Sequence, residues 1–395
     1  MRLRGVLGPV AAAVAAVAVL SSPAWGRIKL ATLPAREQVE IQLENEDATL
    51  VEEERIVTLL KGTNHVDFSW SNTHIDPHTI LFRPLEVGDA VRVIHVAYPP
   101  NENALVWEVY ADKAGPVRVR ISYLIRNLRR TFHYRATAEH DESNLTLRDY
   151  LRVWNFSGEE FGTAGVWAGF GEHFRKEMGL QESKQMLLAK FTEVPIQKKF
   201  IFNWLTGRPV PDEPNQRYAT MHYVLKNDEA NHLGEFPLPY GKVRIFQKDG
   251  HGGEAFTGED WGEFTPIDDE MKLYLGLARD VRVERTIERA HREQVHGALH
   301  NLDVVIKYEI QNFKKDACTL DIEEDVKAVR DRAWRGSDRT VEWSIEPRTT
   351  DKAKVERKSA QNVEIHIPLP ARPADPDTEP QKITFLLHLQ IKNEW

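Results

Sequence analysis

Apolar and polar residues alternate over short stretches along most of the chain. In "HVDFSWS", Val66, Phe68 and Trp70 fall on one side of an extended chain, and polar residues fall on the other. The same two-residue period recurs in "GPVRVRISYLIR", "VVIKYEIQN", "NVEIHIPL" and "ITFLLHLQIK". Because successive side chains of a β-strand point to opposite faces, this period predicts strands with one apolar face each. Such strands are typical of antiparallel sheets that meet water on the other face.

Turn signals such as "LKGTN", "PPNEN", "DKAGP" and "RGSD" separate these stretches. Many short strands joined by frequent turns favour sandwiches. We therefore predict a mainly β fold of two or three antiparallel β-sandwich-like units, with less than about a fifth of the chain in helices. Residues 180–191 are predicted to form two or three helical turns, and 283–299 fit either a helix or a long strand with a polar extension.

With 395 residues, the chain is long enough for two or three domains that each have a core. Turn-rich stretches and changes of pattern suggest the boundaries. We predict a signal peptide at 1–26, an N-terminal β-sandwich-like domain at 27–112, a middle β region at 113–240 and a C-terminal β-sandwich-like unit at 241–395.

The first residues have the composition of an export signal. Arg2 and Arg4 precede the apolar run "GVLGPVAAAVAAVAVL", and the small residues of "SSPAWG" follow it. Cleavage after Ala24 or Gly26 fits this pattern. The alternative is an uncleaved membrane anchor, for which the run is short. We predict export with cleavage, and no integral membrane span afterwards.

Charge and cysteine content exclude some classes of protein. The net charge of −8 disfavours nucleic acid as a partner, because phosphate binding needs a positive surface. Cys318 is the single cysteine, so the chain has no intrachain disulfide. In "CTLDIE", Cys318 shares a face with Leu320 and Ile322, which predicts a buried small hydrophobic residue rather than a nucleophile.

The stretch "GGEAFTGEDWGEF" at 252–264 has two interpretations. The acids at 259, 260, 263, 268, 269 and 270 could attract a hard cation, or serve catalysis. The alternative, which we favour, is hairpin tips: Asp249-Gly250 and Gly252-Gly253 tolerate tight turns, and alternating strands flank them. In that interpretation, Trp261 and Phe264 pack against the sheet.

A second candidate is "THIDPHT", in which His74, Asp76 and His78 are spaced two residues apart. An extended chain would point all three the same way, as zinc ligands require. Asp76-Pro77 favours a turn, however, and we predict a turn between strands rather than a metal site.

The third candidate is the basic run at 113–135. Arg118 and Arg120 lie on the polar face of a predicted strand, where pairing with glutamates of neighbouring strands is expected. Arg126, Arg129 and Arg130, together with Tyr134, could instead bind an acidic glycan, a lipid headgroup or peptidoglycan. We favour the structural role.

The C-terminal third contains the segments "LPYGKVRIFQKD", "FTGEDWGEFTPIDDEMKLYLGLARDVRVERT" and "VVIKYEIQNFKKDACTLDIEE". These segments resemble the domain of unknown function of mucoidy-inhibitor-A-like proteins. Within them stand the family's Gly-Glu-Asp loop, Thr-Pro step, Leu-Gly strand end and later turn: Gly258, Glu259 and Asp260; Thr265 and Pro266; Leu275 and Gly276; and "QNFKKD". The stretches "VEEERIVTLLKGTNHVDFSWSNTHIDPHTILF" and "LRDYLRVWNFSGEEFG" are similar to N-terminal parts of exported, stand-alone members.

The chain departs from that family at two points. The long coiled coil of many members is missing, and "NLRRTFHYR" lacks a tryptophan before the tyrosine. The resemblance implies a β-rich, exported bacterial protein, either periplasmic or secreted, and it implies no reaction.

The sequence contains neither a Gly-x-Ser-x-Gly elbow nor a phosphate-binding loop. We therefore assign no catalytic, cofactor-binding or metal-ligating residues and no cofactor. The predicted function is a non-enzymatic binding or interaction module for an envelope protein or polysaccharide, with the oligomeric state left open. The alternative is a metal-assisted hydrolase of an envelope carbohydrate or peptide, using carboxylates of 259–270 with His251, or with His74 and His78.

Overall fold

The structure is a computed structural model that describes residues 30–31, 33–45, 47–333, 341–375 and 377–394. The predicted signal peptide at 1–26 lies outside the described residues.

The described chain consists mainly of strands. The first half contains β1 (Leu30–Ala31), β2 (Gln38–Gln42), β3 (Thr49–Leu59), β4 (Gly62–Ser69), β5 (Leu81–Pro84), β6 (Val91–Ala97), β7 (Ala104–Ala111), β8 (Gly115–Ile125), β9 (Leu128–Ala138), β10 (Asn144–Asn155), β11 (Gly162–Trp167), β12 (Phe174–Met178) and β13 (Ser183–Pro195). The second half contains β14 (Gln197–Asn203), β15 (Pro209–Val210), β16 (Glu213–Lys226), β17 (Gly241–Lys248), β18 (Glu254–Gly262), β19 (Glu270–His296), β20 (Leu299–Asn312), β21 (Cys318–Asp325), β22 (Glu342–Ile345), β23 (Lys354–Arg357), β24 (Asn362–Leu369) and β25 (Ile383–Glu394).

Helices are short and few in the described part of the chain. The α-helix α1 covers Val326–Ala333, and 3₁₀ turns cover Pro77–Thr79, Gly88–Ala90 and Glu229–Asn231. No helix among the described residues combines the length and apolar character needed to cross a membrane.

Within the described residues, the strands form four mostly antiparallel sheets. Their strand orders are β1-β4-β7-β6, then β12-β11-β2-β3-β8-β5, then β13-β10-β9-β17-β18, and finally β22-β25-β20-β19-β16-β14-β21-β24-β23 with β15 beside β16. The parallel pairs among the described strands are β1–β4, β2–β11, β9–β17 and β14–β21. Strands account for 63% and helices for 5%, so the predicted mainly β, sandwich-like class with little helix is confirmed.

The helix predicted at 180–191 is wrong. Most of this stretch belongs to β13, which pairs antiparallel with β10. Met186, Leu188 and Phe191 are buried from this strand. Pairing with a neighbouring strand and burial of one face outweigh the weak helix preference of this stretch. Of the two alternatives for 283–299, the long strand is correct, because β19 continues to His296.

The chain divides into two compact units that are not contiguous in sequence. The described residues of the first unit lie within Met1–Gln38, Glu52–Asn72 and His78–Ser122. In its core, the ring of Trp107, which is 1% exposed, lies 5.7 Å from the ring of Phe68 and 4.9 Å from that of Phe82. These aromatic rings pack together on the apolar face that β4 and β7 share.

The second unit comprises Val39–Val51, Thr73–Pro77 and the residues from Tyr123 onward. The largest sheet buries an apolar cluster that includes Phe202, Tyr308, Leu320, Ile365 and Phe385. Each of these five side chains is fully buried. Burial on this scale stabilises the sheet by about 1.5–3 kcal/mol for each large apolar side chain.

The five-stranded sheet of the second unit has two different faces. On its apolar face, the Phe132 ring stacks on Phe170 at 5.6 Å, and Phe170 stacks on Phe236 at 5.1 Å. Val243 and Ile245 of β17 are fully buried on the same face. The alternation along β17 leaves Lys242 and Arg244 pointing the other way. We call that second face of β13, β10, β9, β17 and β18 the outer face.

Candidate binding surface

The stretch at 252–264 begins at a hairpin tip and continues as a strand. The side-chain Oδ1 of Asp249 accepts hydrogen bonds from the N–H groups of His251 and Gly253, at 2.7 and 2.9 Å. Gly250 and Gly252 have φ angles of 78° and 94°, which glycine adopts without strain. The tip is therefore confirmed, but the Gly-Glu-Asp segment lies inside β18 and is not a loop.

The acids of this region are held by separate partners. Glu259 accepts a hydrogen bond from Lys242 Nζ at 2.9 Å, and this bond is the main reason that the pKa of Glu259 lies below its ordinary value. Asp260 accepts the Tyr274 N–H at 2.7 Å. These contacts hold Glu259 and Asp260 separately within the sheet, and the acids of 259–270 are not among the possible metal-binding groups of the described residues.

The expectation that Trp261 and Phe264 pack against the sheet is wrong. Their side chains are 50% and 60% exposed. Trp261 stands opposite Lys242, so it shares the outer face, and its ring stacks on that of Tyr240 with 5.2 Å between centroids and 4° between planes. Tyr240 is itself 56% exposed. An open pair of parallel aromatic rings is thus presented to solvent at this edge of the sheet.

Basic groups surround the aromatic pair. Lys242 Nζ lies 5.2 Å from the centroid of the Trp261 ring, within the range of a cation–π contact. Beside Lys242 on β9 stands the half-buried His133, whose Nε2 contacts Thr131 Oγ1 at 2.9 Å. Burial lowers the pKa of His133, and the charges of Arg152, Arg244 and Lys242 lower it further. The outer face is therefore positively charged and aromatic.

The basic run at 113–135 is divided between different environments. Arg118 and Arg120 donate to Glu54 at 3.2 and 2.6 Å, as the expected pairing with glutamates requires. The hydrogen bond from Arg120 is the main reason that the pKa of Glu54 is lowered.

The alternative in which Tyr134 joins Arg126, Arg129 and Arg130 to bind an acidic ligand is wrong for Tyr134. Tyr134 is 2% exposed, and its hydroxyl donates to the Pro239 carbonyl at 2.7 Å. It lies on the apolar face of β9, whereas Arg129 and Arg135, at odd positions, share the outer face with His133. The run at 113–135 does contribute to a basic surface, because Arg129 and Arg135 lie on the outer face.

The segment "THIDPHT" forms a turn between β4 and β5, as predicted. The His74 N–H donates to the Ser157 carbonyl at 2.8 Å, and the Asp76 N–H donates to the Leu124 carbonyl at 2.9 Å. Pro77–Thr79 then forms a 3₁₀ turn, so the backbone is not extended through to His78. The common orientation that a zinc site would need is therefore not present.

A second location lies on the largest sheet, where a cavity of about 450 Å³ is lined by Lys198, Lys199, Cys318, Asp321 and His366 among others. Cys318 is half-buried and packs against the core, and burial raises the pKa of its thiol. A protonated thiol is a poor nucleophile, which agrees with the structural role predicted for Cys318.

The sequence analysis missed a cluster of possible ligands beside this cavity. One ligand atom from each of Asp321, Glu364 and His366 lies within 4.8 Å of the others. His366 Nδ1 is 2.7 Å from Asp321 Oδ1, and Lys358 Nζ is 2.7 Å from Glu364 Oε2. Burial alone would raise the pKa of Glu364, but Lys358 lowers it below its ordinary value. The polar positions in "CTLDIE" and "NVEIHIPL" are the signal that could have indicated this cluster.

Comparison with protein-family models finds no match for this chain, and comparison with curated proteins finds none. The resemblance to the domain of mucoidy-inhibitor-A-like proteins stays a prediction.

Proposed function

We propose that the chain is an exported cell-envelope protein that acts as a non-enzymatic binding module, and that a polysaccharide binds on its outer face. The observation that supports this proposal is the exposed, parallel pair of Tyr240 and Trp261 beside Lys242. An envelope protein is the other partner that the sequence suggested. The half-exposed aromatic pair favours a carbohydrate.

Exposed aromatic rings on a rigid strand suit sugars for a physical reason. One face of a sugar ring presents C–H groups, which pack against an aromatic ring, while its hydroxyls remain free to bond with polar neighbours. Tyrosine and tryptophan provide this contact area at a low cost in side-chain entropy. Lys242 and Glu259, already fixed to each other at 2.9 Å, supply a donor and an acceptor next to the rings.

Trp261→Ala is expected to weaken polysaccharide binding by about tenfold or more, because loss of a central aromatic contact removes a large share of binding energy. Tyr240→Ala is expected to have a similar effect, since the Tyr240 ring stacks on the Trp261 ring and holds it in place. The measurement is affinity electrophoresis against dextran, arabinoxylan and polygalacturonate, followed by titration calorimetry with the polymer that binds.

The matched control is Phe156→Ala, which removes a ring that is 51% exposed and follows the end of β10. This variant is expected to bind like the original protein. Equal polymer affinities of Trp261→Ala, Tyr240→Ala and Phe156→Ala would overturn the assignment of the binding site to the outer face. Absence of binding to every polymer would overturn the proposed function.

The alternative, a metal-assisted hydrolase, would now rest on Asp321, Glu364 and His366 rather than on the acids of 259–270. Two of these three groups are already engaged in a hydrogen bond with each other, and Lys358 neutralises the third. The expected result of adding Zn²⁺ to purified protein is therefore weak binding, which His366→Ala leaves unchanged. Stoichiometric zinc by mass spectrometry that is lost in His366→Ala would favour the alternative.

A further inference from the structure

Four cationic residues lie in one row across the outer face. Arg244 of β17 stands opposite Arg135 of β9. Arg148 of β10 stands between Arg135 and Lys190 of β13. We call these four residues the cation row. Neighbouring strands lie about 4.8 Å apart, so the row extends about 14 Å.

Acids neutralise only one end of the cation row. Glu259 lies 3.8 Å from Arg244, and Glu254 forms an ion pair with Arg135. Within the described part of the chain, Arg148 and Lys190 form neither an ion pair nor a side-chain hydrogen bond. The half of the row on β10 and β13 therefore carries positive charge without a direct acidic partner, although Glu172 and Glu235 line a cavity together with Lys190.

The cation row does not stabilise the folded protein. Like charges directly opposite each other on neighbouring strands are destabilising. Their spacing is shorter than the screening length of about 8 Å at physiological salt, so water and ions do not remove the repulsion. Two further cations, Arg152 and Lys242, lie close enough to affect His133 on the same face. A negatively charged ligand would relieve this repulsion, whereas the fold alone does not.

We propose that the ligand is a linear polysaccharide that carries carboxylates along its chain and lies across the strands on the cation row. This inference rests on the proposed function, because it names the class of polysaccharide that the outer face binds.

Three features favour a carboxylated polysaccharide. Arginine presents a planar fork that matches a carboxylate with two hydrogen bonds, and three of the four members of the row are arginines. The row is straight and open, which suits a polymer with repeated charges. Aromatic residues flank it on both sides: Trp261 stands opposite Lys242 on one side, and Phe246 stands opposite Phe256 on the other.

The flanking aromatic residues differ in how much of each ring is free to contact a sugar ring. The Phe246 ring is already covered by Arg135, whose guanidinium carbon lies 3.7 Å from the ring centroid. Trp261 and Tyr240 remain half exposed. We therefore infer that the carboxylates follow the cation row while sugar rings contact the Tyr240–Trp261 pair.

The test compares polygalacturonate, which has a carboxylate on every sugar, with its full methyl ester, which has the same backbone without charge. The original protein is expected to bind polygalacturonate at least about tenfold more tightly than the ester, and the affinity is expected to fall as salt rises. The double variant Arg148→Gln, Lys190→Gln is expected to lose most of this preference. Binding of the ester is expected to change little.

The matched control is Arg175→Gln, Lys176→Gln on β12, which removes the same charge from exposed residues of another sheet. This variant is expected to keep the preference for polygalacturonate. Equal affinity for polygalacturonate and its ester would overturn this inference and leave the proposed function standing. Binding to neither of these two polymers would overturn the inference, and it would overturn the proposed function as well only if dextran and arabinoxylan also fail to bind. Tighter binding of oligothymidylate than of polygalacturonate would overturn the inference in favour of nucleic acid.

Discussion

Glu324→Leu is expected to lower the free energy of unfolding by about 3–5 kcal/mol, because it leaves a buried positive charge without its partner. Arg285 and Glu324 form two hydrogen bonds of 2.8 Å, and their side chains are only 2% and 4% exposed. Burial alone would lower the pKa of Arg285, but the nearby charge of Glu324 holds it above its ordinary value. The expected loss is measured as the shift in urea denaturation followed by circular dichroism.

The triple variant Arg285→Met, Glu324→Leu, Tyr308→Phe separates the charge from the packing. Tyr308 donates its hydroxyl to Glu324 and is fully buried, so it must also lose its polar atom. Apolar replacement of a whole buried ionic group is often neutral or stabilising, and the triple variant is expected to recover most of the loss. A triple variant as unstable as Glu324→Leu would show that shape, rather than an orphaned charge, accounts for the effect. Lys382→Met, at an exposed pair with Glu309, serves as the control and is expected to leave the midpoint unchanged.

The fold class could be predicted because it is a local property of the chain. The two-residue period in "NVEIHIPL" and "ITFLLHLQIK" appears directly as β24 and β25, each with one buried face. The stretch at 180–191 could not be assigned in the same way, because its composition suits both a helix and a strand. Only its pairing with β10 decides the outcome.

The outer face could be predicted only in part. Each strand shows its own alternation, so Lys242 and Arg244, or Arg148 and Arg152, can be placed on one face from the sequence. Which strands are neighbours cannot be read from the sequence, and the cation row exists only because β17 lies beside β9 in parallel register. The exposure of Trp261 follows from its position opposite Lys242 on β18, the edge strand of this sheet in the described part of the chain.

The sequence analysis did not single out Asp149, although the alternation carries a signal for it. In "LTLRDYLRVW", Asp149 occupies the same face as Leu147 and Leu151, so an acid lies on an apolar face. The structure places it there: Asp149 is fully buried on β10, and Tyr134 of β9 is its cross-strand neighbour. Neither carboxylate oxygen has a hydrogen-bond partner in the described part of the chain.

Asp149→Asn is expected to stabilise the protein progressively more as pH rises from about 4 to about 8. Burial raises the pKa of Asp149 from 3.8 to about 8. The folded state therefore binds the proton more tightly than the unfolded state. The favourable contribution of the protonated acid is complete below the unfolded pKa near 4, and it is lost as pH rises through the folded pKa. The loss is about 1.4 kcal/mol for each pH unit, or about 4 kcal/mol between pH 5 and pH 8.

The measurement is the difference in unfolding free energy between Asp149→Asn and the original protein at pH 5, 6, 7 and 8. Because asparagine keeps the shape and polarity of the site but cannot ionise, the difference isolates the titration of Asp149. The control Glu177→Gln removes an exposed acid of β12, and its difference is expected to stay constant over the same range. A constant difference for Asp149→Asn as well would mean that the buried carboxylate is ionised at all four pH values, and therefore that a donor or cation compensates it.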